Sequence, residues 1–283
     1  MRLGLILLML PILLTIGALV HYWPPAGRSF TDQVIEFERN KRYVMWRLGM
    51  TMSGTPDLAN LDGRLKDHGL KLGDPVFIRI FKRDFELELW MQRDGKFHRF
   101  ATYPICRWSG WLGPKLRRGD RQAPEGFYTV SAKQLNPNSR WHRSFNLGFP
   151  NAFDSNHRRT GSFIMVHGGC GSVGCFAITN EAVDEVWNLV TAALNGGQKR
   201  FQVQVMPFRM SDSNLERETS SPHIGFWRNL KQGSDAFETE LLPPKVSVCG
   251  TRYVIASAGA VMDGSGPIAV NCSSDKLTSK TKT

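Results

Sequence analysis

The rhythm of apolar and polar positions changes at Pro75. Upstream the spacing is helical: residues 31–48 carry Val34, Ile35, Phe37, Val44, Met45 and Leu48, which predicts a helix packed on the main body. A shorter helix is predicted where Thr55 is the N-cap, Pro56 opens the first turn and Asp57 complements the dipole. Leu58, Leu61 and Leu65 share its face and Gly69 stops it. Downstream the period falls to two. VFIRIFK (76–82), ELELWMQ (86–92) and FHRFATY (97–103) alternate like half-buried strands, and Asp94-Gly95 between the last two is a hairpin turn, because both residues tolerate positive φ. Further strands are predicted at FYTVSA (127–132), SFIMVH (162–167) and FQVQVMP (201–207). One strong helix interrupts them, Asn180 to Asn195, with Val183, Val186, Trp187, Val190 and Leu194 on one face and Gly196-Gly197 as its stop. Residues 223–242 read as a second helical layer. The fold class is α+β, mainly β.

The first residues add a compartment. After Arg2, residues 3–20 form an uncharged apolar run, followed by Tyr22 and Trp23 where an interfacial aromatic belt would lie. The run is longer than most cleaved signal cores, so it predicts export with either a signal peptide or, more in keeping with its length, an inner-membrane anchor. The rest of the chain is then expected in the periplasm, within the cell envelope. In that oxidising space Cys249 and Cys272 are predicted to pair, with Cys106 buried and unpaired. Charge changes the picture less. The excess of 36 Lys+Arg over 25 Asp+Glu favours an anionic partner, but the basic residues are scattered and no nucleic-acid-binding signature accompanies them, so nucleic acid is not expected.

The chemistry concentrates in IMVHGGCGSVGC (164–175). Zinc could be held by His167, Cys170 and Cys175 with His157 or His142, although the spacing is not that of a paired Cys-x-x-Cys module. Cys170 and Cys175 could instead form a disulfide across the glycine loop. A third reading makes Cys175 a nucleophile and His167, at a strand end, its base. Glycines at 168, 169, 171 and 174 would aim backbone amides at one point, and the helix that follows would add positive potential. A purely structural His and a buried Cys remain the plain alternative.

These residues also carry a resemblance. His167-Gly168 followed by Ser172-x-Gly174-Cys175 resembles the YkuD-type L,D-transpeptidases, and within them the YafK-like branch, in which His and Cys are eight residues apart. The likeness extends to VFIRIFKRDFELELW at the domain entrance, GPKLRRGD and APEGFY (113–128), FNLGFPNAFDSNHRRTG (145–161) and FWRNLKQGSDAFE (226–238). It implies a YkuD-like mixed β-sheet catalytic domain with a helix after the nucleophile and helical flanks. It implies Cys175 as nucleophile, His167 as base, and Ser172, Gly174 and Gly168 as oxyanion or loop residues. Lys115, Tyr128, Asn151, Asp154 and His157 are the candidate substrate-binding residues. The implied partner is the peptidoglycan stem peptide, with a peptidoglycan-linked lipoprotein as a further partner. No cofactor is implied. The implied reaction is L,D-transpeptidation through an acyl-thioester, hydrolysis by the same family being the alternative and a non-catalytic wall-binding protein with a zinc or disulfide staple the second. Family members typically read Ser-His-Gly-Cys with an Arg soon after, whereas this chain has Ser172-Val173-Gly174-Cys175-Phe176-Ala177, so the second His is absent.

The expected organisation is a signal or anchor at 1–25, a helical flank at 26–74, the catalytic domain at 75–208, a second helical flank at 209–250 and a polar tail at 251–283.

Overall fold

The structure, a computed structural model, describes residues 29–256 and 266–272. The apolar run at 3–20 and the polar end after 272 lie outside the described residues. Two compact units divide the chain, Met1–Lys41 and Arg42–Thr283. The first contributes most of helix α1 (Phe30–Arg47). Ser29 Oγ accepts the Asp32 N–H at 3.1 Å to close its N-terminus, and Glu36–Arg39 and Glu38–Lys41 pairs follow at i,i+3. Among the described residues no helix is long and apolar enough to cross a membrane.

In the second unit the end of α1 is followed by a 3₁₀ turn (Leu58–Asn60) running into α2 (Leu61–Asp67), and Gly69 ends it at φ +62°. The cap differs from expectation. Asp57 accepts the Ala59 N–H at 3.2 Å, while the Thr55 hydroxyl donates to the Met52 carbonyl at 2.8 Å. Strands β1 (Val76–Phe81), β2 (Glu86–Arg93) and β3 (Lys96–Pro104) then form a meander, with Asp94 and Gly95 at φ +52° and +76° in the predicted turn. Residues 107–177 supply β4 (Arg107–Trp108), β5 (Gly126–Val130), β6 (Leu135–Ser139), β7 (His142–Asn146), helix α3 (Ala152–Asn156), β8 (Met165–His167) and β9 (Phe176–Ala177). Helix α4 (Asn180–Asn195) leads to β10 (Phe201–Met206). Helices α5 (Asp212–Glu216) and α6 (Ile224–Glu240) precede the β11 (Lys245–Cys249) and β12 (Arg252–Ala256) hairpin.

Two five-stranded mixed sheets result, ordered β3-β2-β1-β10-β5 and β4-β9-β8-β7-β6. In the first, β1 and β10 run parallel while the other pairs are antiparallel. Every residue of β1 is buried, because both faces are covered. Phe77 packs on Phe237 of α6 and Arg79 Nη2 donates to Ser234 Oγ at 2.9 Å, while α4 lies against β1 as well. The alternation therefore sorts side chains between two buried faces.

The residue after β1 fastens the long loop that follows β4. Lys82 Nζ, fully buried, donates to the carbonyls of Trp111, Gly113 and Ala123 and to Glu125 Oε1 at 2.7 to 3.0 Å. Glu125 also accepts the Trp227 indole N–H at 2.8 Å and the Gly113 N–H at 2.7 Å. This buried pair has its remaining capacity filled by hydrogen bonds, the condition under which a buried ion pair is tolerated.

Two expectations are corrected here. Residues 162–167 are not one strand: only Met165–His167 pairs, and Phe163 sits at φ +56° with its ring exposed. Residues 252–256 are not part of a tail, since β12 pairs with β11 and Tyr253 is buried in the core with Phe127 and Phe153.

Candidate active site

Parallel pairing of β8 with β9 sets His167 beside Ala177 and Val166 beside Phe176. Carried back one residue, the register sets Cys175 beside Met165. Because side chains alternate across a strand, Met165, His167, Cys175 and Ala177 share one face of this sheet, and His167 and Cys175 are diagonal neighbours on it. Each is oriented by the backbone around it. The Cys175 thiol accepts the Met165 N–H at 3.4 Å and points its own hydrogen toward the Phe163 carbonyl at 3.7 Å.

His167 is buried, and its Nδ1 lies 2.6 Å from the Gly168 carbonyl. A carbonyl can only accept, so Nδ1 carries the proton and Nε2 presents a lone pair. Burial lowers the imidazole pKa, opposed in part by that hydrogen bond. Burial likewise raises the Cys175 thiol, opposed by the Met165 amide and by the positive charge of Lys115. The two shifts point the same way. Each favours the uncharged form of its group.

The loop between them is held from outside. Gly174, at φ +112°, donates its N–H to Ser109 Oγ at 2.5 Å, and Ser172 Oγ donates to the Cys175 carbonyl at 2.7 Å. Ser109 and Ser172 lie 3.2 Å apart, oxygen to oxygen. Helix α4 grips the other end: Asn180 Oδ1 accepts the Gly169 N–H at 2.9 Å, and the Thr179 N–H donates to the Gly169 carbonyl at 3.1 Å. Among charged side chains, Lys115 is the one that lowers the Cys175 pKa.

Cys170 is bonded to Cys106, with Cα atoms 5.3 Å apart, and Cys175 is free. This corrects two readings at once. Cys106 is not unpaired, and no bridge joins Cys170 to Cys175. The zinc reading loses a ligand, since a disulfide sulfur is not a thiolate. Cys249 and Cys272 are paired as expected.

Of the candidate substrate-binding residues, Lys115 alone lies in electrostatic reach of Cys175. Its ammonium group is held by Asp120 and by the Arg117 carbonyl at 3.0 Å. Asp120 in turn accepts the Leu116, Arg117 and Gln122 N–H groups, so the loop is built around that carboxylate. The others serve the core. Tyr128 is buried with its hydroxyl 3.2 Å from Asp154 Oδ2, and Asp154 is paired with Arg159 at 2.8 Å. Asn151 caps α3 and donates to the Phe127 carbonyl at 2.7 Å. His157 faces a separate cleft beside Arg159 and Arg252. Nor are Gly168 and Gly174 spare donors: the Gly168 N–H is shared between the Trp141 and Arg143 carbonyls, and that of Gly174 is taken by Ser109.

Sequence reasoning missed Ser109 and Trp141. The Trp141 ring stacks on the His167 imidazole with centroids 5.8 Å apart and planes at 27°, half exposed. With Phe163 and Val173, both largely exposed, it rims the site with apolar surface. A tryptophan in an unpredicted turn leaves no periodic signal. Only the return of β7 beside β8 puts it there.

The family described as the L,D-transpeptidase catalytic domain, YkuD, matches residues 75–212. YafK of Escherichia coli strain K12, named as a candidate L,D-transpeptidase, is 44% identical over 209 residues, covering 74% of this chain and 82% of that one. The protein of the same name from Escherichia coli O157:H7 matches at the same level. Among solved structures, the helical cell shape determining protein Pgp2 of Campylobacter jejuni is 21% identical, covering 64% of this chain and 67% of that one with a TM-score of 0.39. A point variant of it matches over 66% of its length with a TM-score of 0.40. Bd1075 of Bdellovibrio bacteriovorus is 19% identical over 58% of this chain and 60% of that one, with a TM-score of 0.34. Identity of 44% sustained over most of two whole chains is decisive where those distant structural likenesses are not, and this chain belongs to the YkuD family of L,D-transpeptidase catalytic domains.

Proposed function

We propose that the protein is a cysteine-dependent L,D-transpeptidase of peptidoglycan, acting through an acyl-thioester on Cys175 at the diaminopimelate centre of the stem peptide. The observation that carries this reading is the shared face of His167 and Cys175, with the imidazole Nε2 left as the acceptor by the bond from Nδ1 to Gly168. Cys175 attacks a stem-peptide carbonyl as His167 Nε2 takes the thiol proton. The S–C bond forms, and the tetrahedral oxyanion collapses with expulsion of an amine that takes the proton back from the imidazolium. An acceptor amine, deprotonated in turn by His167, then attacks the thioester and releases the thiol.

The Cys175 N–H meets no protein acceptor among the described residues, and it is the amide assigned to the oxyanion in place of Gly174. Lys115 favours the developing negative charge without generating a thiolate beforehand. The acceptor is an amine of a neighbouring stem or of a lipoprotein side chain in the transpeptidase reading, and water in the hydrolase reading. The work is assigned to the periplasm, with the run at 3–20 as exporter or inner-membrane anchor. Incubation with peptidoglycan bearing attached lipoprotein distinguishes the two reactions by whether links appear or vanish. Peptide mass spectrometry of the trapped thioester tests the nucleophile. An adduct on any residue but Cys175, or full turnover by Cys175→Ala, overturns the reading.

A further inference from the structure

A second concave site, of about 400 Å³, opens where the start of α6 meets α3 and the β11–β12 turn. No acidic residue lines it, while Arg159, Arg228, Arg252 and His157 do. Arg228 and Arg252 are exposed and form no ion pair or side-chain hydrogen bond among the described residues. Arg159 is nine-tenths buried: Nη1 is committed to Asp154, and its buried Nε has no hydrogen-bond partner among the described residues. Its guanidinium lies 5.0 Å and 5.2 Å from the ring centroids of Phe153 and Phe226, which stack on each other at 5.5 Å. Helix α6 points its N-terminus here. No side chain caps it, and the amides of Gly225 and Phe226 in its first turn have no intrahelical acceptor. A rigid aromatic shelf, three guanidinium groups and open amide donors together describe a receptor for a planar oxyanion.

The cleft communicates with the nucleophile through one short segment. Arg159 lines the cleft, Gly161 packs against the Lys115 side chain, and Phe163 and Met165 contact the Cys175 sulfur. Arg159 and Met165 are six residues apart, at most about 22 Å of extended chain. A polymer with repeating anionic groups can occupy both places at once.

We propose that this cleft is an exosite that binds a carboxylate of the wall polymer while Cys175 acts on a neighbouring stem; the proposal rests on the peptidoglycan reading above. The test is cosedimentation of the detergent-solubilised full chain, as Cys175→Ala to prevent turnover, with purified peptidoglycan sacculi. Arg228→Ala/Arg252→Ala in that background is expected to weaken binding about tenfold or more. Blocking sacculus carboxylates as neutral amides is expected to weaken binding of the parent protein equally. In the wild-type background the same two substitutions should leave iodoacetamide alkylation of Cys175 and turnover of a soluble stem peptide unchanged. Undiminished binding by the double variant, or equal binding of amidated sacculi, overturns the proposal. Displacement by inorganic phosphate, but not by acetate at equal ionic strength, assigns the cleft to a phosphate and overturns the carboxylate assignment. Arginine-dependent binding by a protein with no turnover in the wild type would support the exosite while removing the proposed reaction.

Discussion

Cys170 is tied to Cys106 by a disulfide, and Cys106 immediately precedes β4, the strand that pairs with β9. The bond therefore anchors the glycine loop five residues ahead of Cys175 to the far neighbour of the strand that Cys175 opens. The glycines that let the loop turn also leave it little intrinsic stiffness. The disulfide, Ser109 and Asn180 supply that stiffness from three sides.

With two bridges formed, the denatured protein should show one reactive thiol before reduction, and Cys175→Ala should show none. The Cys106–Cys170 bridge closes a loop of sequence separation 64. On the chain-entropy account, Cys106→Ser/Cys170→Ser should cost roughly 4 kcal/mol of stability, read from denaturant titration. Turnover should fall further than the folded fraction explains. Two unmodified thiols at 106 and 170 in the native protein would defeat this prediction.

His167 and Cys175 set the pH dependence. Burial depresses the imidazole and raises the thiol, so both are neutral over a window wider than for the free side chains. The kcat/KM profile should show an acid limb below the usual imidazole value of about 6.5 and a basic limb above the usual thiol value of about 8.5. The stability linkage has a definite sign. An imidazole whose folded pKa is depressed binds fewer protons folded than unfolded, so its contribution is complete above the unfolded pKa and is lost as pH falls through it toward the folded one. His167→Ala should slow acylation by roughly 100- to 10,000-fold. A stopped-flow thioester signal that persists at the wild-type rate would remove His167 as the base.

Lys115 should be felt at the sulfur. Lys115→Met removes the cation that lowers the Cys175 pKa, so the pH profile of iodoacetamide alkylation should move upward. Lys115→Arg should restore much of it. A purely structural role for Lys115, in fastening Asp120, predicts a loss of thermal stability with the alkylation profile unmoved.

Lys82 and Glu125 offer a test of the loop's foundation. Both are fully buried, so Lys82→Met leaves the Glu125 carboxylate without its counter-charge, while the Trp111, Gly113 and Ala123 carbonyls keep the Gln122 amide as a donor. The expected cost is about 3–5 kcal/mol. Lys82→Met/Glu125→Gln should recover part of it, and urea titration of the three proteins measures the recovery. Equal stabilities would show that the pair does not hold the loop.

Ser109→Ala leaves the Gly174 N–H without its acceptor next to the nucleophile. Acylation should slow by about tenfold or more, with a stability loss of about 1–3 kcal/mol. Wild-type kinetics in this variant would return Gly174 to the list of spare amide donors.

What the sequence determined by itself was what depends on near neighbours along the chain. Period-two alternation placed β1, β2, β3 and β10, Asp94-Gly95 placed their turn, and the apolar face of Asn180–Asn195 placed α4, because pleat, turn and helix are fixed by residues within a few positions of each other. The neighbourhood of His167 and Cys175 was legible for the same reason, since a strand end and the seven-residue glycine-rich loop between them keep them close. Everything that needed a distant partner was decided by tertiary structure. Trp141 reaches His167 only through β7 returning beside β8, Ser109 takes the Gly174 amide across 65 residues, and Cys170 chooses Cys106 across 64. Tyr128 on a predicted strand and Asn151 and Asp154 in a polar loop looked like cleft residues, yet they fold inward, where Arg159 pairs with Asp154 and Tyr253 meets Asn151. Arg79 reads as the polar position of an alternating strand and Lys82 as its polar end, yet both end buried, because α6 covers the first and the 109–125 loop closes over the second. A buried charge is stable only where partners from elsewhere in the chain converge on it, and no local pattern records where those partners will be.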